Sequence, residues 1–170
     1  LASLVTYRRG IKKSQTRPSV AIIFDLYDDK LFFEADYLPT IEKTAKVELE
    51  KNGFSAQSLF LDRDFSSTKS LNRILYNRNI EGVIFAATYY EHTHYDLEWH
   101  RYSLIKIHEH PFDLKIDSVM PNHIDSMRLA MQRLKDHGFH RPIFVAHELD
   151  ELHTRHAFSI AFNYWQSLFD

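Results

Sequence analysis

The fold of this chain is decided by residues 122–145, NHIDSMRLAMQRLKDHGFHRPIFV. The apolar side chains of this segment recur every three to four positions, which is typical of one face of a helix. They are Ile124, Met127, Met131 and Leu134. Gly138 then predicts the left-handed residue that ends the helix. The apolar residues 143–146 follow and predict a short buried strand, so the segment indicates an α/β fold.

The same alternation of strands and helices extends over the rest of the chain. Strands are predicted at residues 20–25, 58–61, 83–87 and 104–107, and helices at residues 39–52, 67–77 and 151–168. Ser66 or Ser67 can cap the second of these helices. Gly53 and Gly82, like Gly138, are expected at or just after helix ends. This order predicts a parallel sheet flanked by helices on both faces.

Composition limits the classes of protein to which the chain can belong. Its 170 residues are 44% hydrophobic, enough for one domain or slightly more with a buried core. Cysteine is absent, which excludes disulfides and is compatible with a reducing compartment. No window approaches the roughly 18–20 consecutive apolar residues that span a bilayer, and no export leader is visible. We therefore expect no membrane contact and a cytoplasmic location.

Charge is unevenly distributed along the chain. The formal net charge is −2, which argues against a nucleic-acid-binding surface over the whole protein. The first 17 residues nevertheless carry five cations and no acid: Arg8, Arg9, Lys12, Lys13 and Arg17. Residues 1–18 are therefore interpreted as a basic linker, which is either solvated or ordered only on a polyanion.

Motifs for catalysis and for metal binding are missing. The sequence contains no nucleophile elbow, no P-loop and no dinucleotide-binding glycine pattern, and its four glycines are scattered. Histidines are dense around His92, His94 and His108, but no zinc motif is formed and most of this region is predicted to be loop. We predict no enzymatic activity, no cofactor and no metal site.

Three segments in the same order resemble the lactose-repressor (LacI/GalR) family of transcriptional regulators. Residues 122–145 resemble its helix with the pattern LAxxxLxxxGH and the strand that follows. Residues 76–85, YNRNIEGVIF, are similar to its LLSRRVDGIIL element, and residues 19–25 with Phe32 and Phe33 are similar to its opening strand and loop. The resemblance implies a periplasmic-binding-protein-like fold with a linker (1–18), a first lobe (19–141) and the start of a second lobe (142–170).

The resemblance also implies an effector site, because members of the family hold a small sugar or purine between two lobes. In an open parallel sheet such ligands bind beyond the carboxyl ends of the strands. The matching positions are Asp25, Phe33, Thr88, Asn122 and Asp125 from the first lobe. An arginine early in the second lobe is implied to be Arg155, although pairing Ala157 and Phe158 with the family's Gly-Phe places Thr154 there. The alternative is that these residues are polar only because strand ends are exposed to solvent.

The basic linker resembles the end of the family's hinge helix, which orders on operator DNA and inserts a leucine into the minor groove. The match at residues 1–4, LASL, implies Leu4 as the inserted side chain and Arg8 and Arg9 as phosphate contacts. A helix-turn-helix that would read operator bases is not present in these 170 residues. The resemblance further implies a homodimer, with first-lobe contacts on the exposed faces of the helices at 40–52 and 67–77.

Two other classes of protein fit parts of the sequence. A periplasmic-type solute-binding protein for a sugar shares the fold but is exported and does not bind DNA. A small flavodoxin-like or metal-dependent enzyme would need a loop chemistry that the sequence does not contain. The segment upstream of Leu1 would separate the regulator from the solute-binding protein, since the first carries a helix-turn-helix there and the second a signal peptide.

Overall fold

The computed structural model describes residues 17–25, 37–60, 63–88, 97–107 and 116–168. These residues form two compact units, of which the first ends at Ser118 and the second begins at Val119. No described helix is long and apolar enough to cross a membrane.

The first unit is a five-stranded sheet with two helices. Its elements, in chain order, are β1 (Ser19–Asp25), α1 (Tyr37–Lys51), β2 (Ser55–Phe60), α2 (Thr68–Asn77), β3 (Ile80–Thr88), a 3₁₀ turn (Trp99–Arg101), β4 (Ser103–Ile107) and β5 (Asp117–Val119). The strand order is β2-β1-β3-β4-β5. The strands pair in parallel from β2 through β1 and β3 to β4, which confirms the predicted parallel sheet.

Alternate residues of β1 enter two separate cores. Ile22 and Phe24 pack with Leu38 and Leu49 of α1, whereas Ile23 packs with α2 on the other face of the sheet. Successive side chains of a strand point to opposite faces, so a strand covered on both sides is apolar throughout. Helices therefore lie on both faces of the sheet, as predicted.

The second unit is helical. It contains α3 (His123–Asp136), α4 (Glu148–His153) and α5 (Ala157–Gln166). Helices α3 and α5 bury Met127, Met131, Ala161 and Phe162 against one another. The partly buried Phe144 joins this core and stacks on Phe162 with ring centroids 5.5 Å apart. Burial of these apolar side chains stabilises the packing of α3 against α5.

The strand predicted at residues 143–146 is absent, and these residues form no regular structure. Ile143 is 85% exposed and Val145 84% exposed, while Phe144 between them is partly buried. A strand needs a hydrogen-bonded neighbour, and no described strand of the chain pairs with this segment. The apolar residues of this segment were identified correctly, but the prediction that they form a strand is wrong.

Glycines end two of the helices, as predicted. Gly53 and Gly138 adopt φ values of +83° and +79°. The amide of the residue after each glycine donates to a carbonyl near the end of the helix. These hydrogen bonds run from Phe54 to Leu49 and from Phe139 to Leu134, both at 3.0 Å. Gly82 is different, because it lies inside β3 and is buried. The left-handed residue between α2 and β3 is Asn79, with φ +50°.

Two further differences from the predicted elements have local causes. The single helix expected at residues 151–168 is broken into α4 and α5, because Arg155 and His156 both adopt left-handed backbone angles. The amide of His156 donates to the carbonyl of Glu151 at 2.7 Å, which closes α4 without a glycine. Strand β5 was not predicted, since its three residues are all exposed and carry no apolar pattern.

Candidate functional site

The carboxyl ends of β1 and β3 bring two of the predicted effector residues together. Asp25 is the cross-strand partner of Thr88, and each is the last residue of its strand. Just before this pair, β3 contains one extra residue, Ala86, because Ile23 pairs with Phe85 and Phe24 with Ala87. Such bulges bend a strand locally and are common beside binding sites. The pairing makes Asp25 and Thr88 neighbours at this edge of the sheet.

An aromatic pair and an arginine lie at the end of the neighbouring strand β2. The rings of Phe24 and Phe60 stack with centroids 4.9 Å apart. The guanidinium of Arg63 lies 3.8 Å from the centroid of the Phe60 ring, within the range of a cation–π contact. Asp64 accepts a hydrogen bond from the Phe60 amide at 2.8 Å and contacts Arg63 at 3.3 Å. These contacts tie Arg63 and Asp64 to the end of β2.

Glu42 of α1 joins this corner of the unit. Its carboxylate accepts hydrogen bonds from Lys46 and from the hydroxyl of Ser58 in β2. Burial raises the pKa of Glu42, but these two hydrogen bonds and the charges of Lys46 and Arg63 outweigh it, so that the pKa lies below its ordinary value. Glu42 therefore stays ionised and ties α1 to β2.

Lys106 is a candidate site residue that the sequence analysis missed. It is the penultimate residue of β4, pairs with Phe85 of β3 and is only 8% exposed. Lysine is rarely buried to this extent unless its ammonium group has a partner, and Lys106 has a polar or electrostatic interaction. A charge inside the apolar run of residues 104–107 was the available signal.

Two other predicted effector residues lie at the start of α3, in the second unit. Asn122 is the N-cap of α3, and its side-chain oxygen accepts from the Asp125 amide at 3.1 Å. The Asp125 carboxylate contacts the Arg128 guanidinium at 2.8 Å. The resemblance implied both in the first lobe; in the structure α3 packs on α5. Both residues have a structural role in starting this helix.

Arg155 lies in the turn between α4 and α5. It is exposed, and its φ of +51° is followed by +60° at His156. Non-glycine residues adopt this region at a cost of about 1–2 kcal/mol, so two in succession are unusual. The neighbouring Glu151 carboxylate lies 3.5 Å from the His156 ring. This strained turn fixes where the Arg155 backbone lies.

The remaining predicted residues fall outside the described part of the chain. They are Phe33 of the effector set and Leu4, Arg8 and Arg9 of the hinge set. His92, His94 and His108 are outside it as well, whereas His100 is described and exposed. Within the described ranges, no group of three or more histidine or acidic residues is arranged to hold a metal ion.

No protein-family model and no curated protein sequence matches the chain. Its structure, however, is similar to solved structures. One is a LacI transcriptional regulator from Lactobacillus brevis, with a TM-score of 0.59 and 15% identity over 87% of this chain and 54% of that one. The chain has the fold of LacI transcriptional regulators.

Two further structures with this LacI fold are regulators named CcpA. The one from Lactococcus lactis gives a TM-score of 0.58 at 12% identity, covering 88% of this chain and 54% of that one. The one from Weissella paramesenteroides was solved with bound glucose and has a TM-score of 0.51 at 14% identity, covering 85% and 53%. The chain thus spans about half the length of the LacI-fold structures that it matches.

Proposed function

We propose that this chain is the effector-sensing part of a LacI-type transcriptional regulator. The observation that carries the proposal is the fold, which the chain shares with several LacI regulators over most of its length. Two structures with this fold hold glucose or sucrose, which favours a sugar-like effector over a purine. Effector binding would regulate transcription by favouring one of two states of the protein.

The proposed effector site begins at the carboxyl edge of β1 and β3. Asp25 and Thr88 supply a carboxylate and a hydroxyl on adjacent strand ends, and such groups exchange hydrogen bonds with sugar hydroxyls. Phe33 would cover the apolar face of the sugar ring. Lys106, on the strand beyond β3, adds a cation close to the same edge. This combination of a few polar groups with one aromatic is typical of small-molecule sites.

The second wall of the site is proposed to come from a second lobe that starts at residue 142. Arg155 would contribute from this lobe, whereas Asn122 and Asp125 would contribute from the first lobe. The exposed side chains of Ile143 and Val145 support the proposal, because a strand that is apolar on both faces is typical of the interior of a parallel sheet. In a longer protein these two side chains would be buried between neighbouring strands and helices.

The DNA-binding role is proposed for the whole regulator. A helix-turn-helix preceding this chain would read the operator, and Leu4, Arg8 and Arg9 would contact DNA from the hinge. The regulator would act as a homodimer in the cytoplasm, with no membrane and no cofactor involved. The exposed faces of α1 and α2 are where we propose the first-lobe dimer contact.

The test is a titration of the full-length protein against a panel of sugars and purines. Each titration is repeated in the presence of DNA duplexes selected from a random-sequence pool for binding to the same protein. We expect one sugar to bind and to change the affinity for the selected duplex by about fivefold or more, because coupling energies in such systems are about 1–3 kcal/mol. Salt dependence of duplex binding would support phosphate contacts.

Two outcomes would contradict the proposal. Tight sugar binding by a protein that retains no duplex even at low salt would favour the solute-binding protein. Duplex binding that no sugar or purine alters would remove the effector-sensing role. Analytical ultracentrifugation of the same sample tests the homodimer separately.

A further inference from the structure

A cavity of about 510 Å³ opens at the amino ends of β3 and β4. Its lining comes from the end of α2, the start of β3 and the residues just before β4. The residues are Leu75, Tyr76, Asn77, Asn79, Ile80, Glu81, Arg101 and Tyr102. The volume lies within the range of small-molecule sites. The cavity is at the opposite end of the sheet from Asp25 and Thr88, and neither residue lines it.

The backbone departs from regular geometry twice at this cavity. Asn79 adopts φ +50°, and Glu81 is an extra residue in β3, because Ser19 pairs with Ile80 while Val20 pairs with Gly82. A bulge and a left-handed residue redirect the side chains beside them. Both irregularities lie within three residues, Asn79, Ile80 and Glu81, that all line the cavity.

The side chains of the cavity offer three different kinds of contact. Tyr76 is 66% exposed, which leaves much of its ring available for stacking. The Arg101 guanidinium lies 5.5 Å from the centroid of that ring, and its Nε donates to Glu98 at 2.6 Å. The four N–H groups of its two terminal nitrogens have no other partner among the described residues, and these can hold a carboxylate.

Glu81 supplies the opposite charge. It is exposed, and its carboxylate forms no ion pair with any residue in the described ranges. Asn77 and Asn79 add amide donors and acceptors beside it. An anion-binding group, a cation-binding group and an aromatic surface thus line one cavity.

We propose that this cavity is a second ligand site, for a small zwitterion with an apolar ring, of the amino-acid class. The ligand's carboxylate binds the terminal nitrogens of Arg101, its ammonium group binds Glu81, and its ring packs on Tyr76. Leu75 and Ile80 form the apolar floor. The site is independent of the proposed effector function, since it involves neither the carboxyl edge of the sheet nor DNA.

The test uses L-phenylalanine as the probe and two analogues that each lack one charge. 3-Phenylpropanoate lacks the ammonium group, and phenethylamine lacks the carboxylate. Each is titrated into ¹⁵N-labelled protein while amide chemical shifts are followed. We expect saturable shifts at millimolar L-phenylalanine, localised to Asn77, Asn79, Glu81, Arg101 and Tyr102. Both analogues should bind more weakly, because each loses one charged contact.

Variants separate binding from a structural effect. Arg101→Gln should weaken L-phenylalanine binding by about tenfold, which corresponds to one charge-assisted contact. Glu98→Gln is the matched control, because it removes the ion pair between Arg101 and Glu98 but keeps the guanidinium. This variant should bind L-phenylalanine as tightly as the unaltered protein. Tyr76→Ala, at an exposed position, should weaken binding without affecting folding.

Three results would overturn the proposal. The first is the absence of saturable shifts with all three compounds. The second is equal affinity of Arg101→Gln and the unaltered protein. The third is a set of shifts that map to the carboxyl edge around Asp25 and Thr88, which would assign the ligand to the other site. None of these results bears on sugar binding or on operator binding.

Discussion

Asp25 and Thr88 are cross-strand partners at the last position of two adjacent parallel strands. Sixty-two residues lie between them in the sequence, and only the parallel pairing of β1 with β3 makes them neighbours. Because carboxyl ends of parallel strands share one edge, a ligand bound at this edge would lie near both residues. The first prediction tests this relationship.

Removing the polar function of either residue should weaken effector binding. Asp25→Asn and Thr88→Val keep the approximate size of each side chain, and each should reduce affinity for the sugar found in the panel by about tenfold, since a buried ligand hydroxyl loses its partner. Isothermal titration of the full-length protein measures the change. Ser55→Ala, at the amino end of β2, is the control and should bind normally. Equal losses in all three variants would indicate a general effect on folding.

The pKa of Glu42 predicts how stability depends on pH. Its pKa is lower in the folded protein than its ordinary value of 4.5, so the folded state favours the ionised carboxylate. The stabilisation is therefore fully present above pH 4.5 and is lost as the pH falls through the folded-state pKa. Glu42→Gln should remove this part of the acid dependence, by less than about 1 kcal/mol because the pair with Lys46 is partly exposed.

Urea unfolding at a series of pH values from about 3 to 7 measures this dependence. Glu50→Gln, on an exposed position of the same helix, is the matched control and should leave the slope unchanged. A slope that is the same in Glu42→Gln and the unaltered protein would contradict the role assigned to Glu42.

At Gly53, which ends α1, the cost of a left-handed backbone can be measured without steric overlap. A Cβ atom added at Gly53 would meet nothing within 4 Å, so Gly53→Ala changes only the cost of φ +83°. We expect a loss of about 1–2 kcal/mol in the free energy of unfolding. Gly53→Asn should lose less, because asparagine tolerates the left-handed region better. Thermal or urea unfolding of both variants checks the order, and equal losses would indicate another cause.

The exposure of Ile143 predicts different effects in two forms of the protein. In the 170-residue chain, Ile143→Ser should change the free energy of unfolding by less than about 0.5 kcal/mol, because the side chain contacts solvent. In a longer protein that contains the proposed second lobe, the same change should cost about 2 kcal/mol or more. Urea unfolding of both forms makes the comparison.

Phe144→Ala serves as the control for this experiment. Phe144 already packs on Phe158 and Phe162, so its loss should destabilise the second unit in both forms. If Ile143→Ser is harmless in the longer protein as well, residues 143–146 do not form the inner strand that we propose.

Most of the fold was predictable because its signals are local. The apolar stripe of α1, the capping serine before α2 and the glycine after α3 each act within one or two helical turns. In the structure the hydroxyl of Ser67 accepts from the Ser70 amide, as its position before α2 predicted. The runs of apolar residues in β1 and β3 predicted a sheet covered on both faces, because only such a sheet buries every side chain of a strand.

The candidate site was predictable only in part. The position of Asp25 and Thr88 after apolar strands placed them at strand ends, but their pairing depends on the strand order. Lys106 was missed because a lysine in a strand is usually on a surface, and its burial is a result of tertiary packing. The cavity at Tyr76 and Arg101 was missed because its lining joins two stretches that are distant in sequence, residues 75–81 and residues 101–102.

By itself, the sequence determined the local elements and the layered α/β architecture, since periodicity, caps and turn residues act over a few positions. The tertiary structure alone decided which elements became neighbours. It packed α3 on α5, paired Asp25 with Thr88, and left residues 143–146 outside the described strands. The reason is that strand pairing and core packing join residues far apart in the chain, and no short stretch of sequence specifies its own partner.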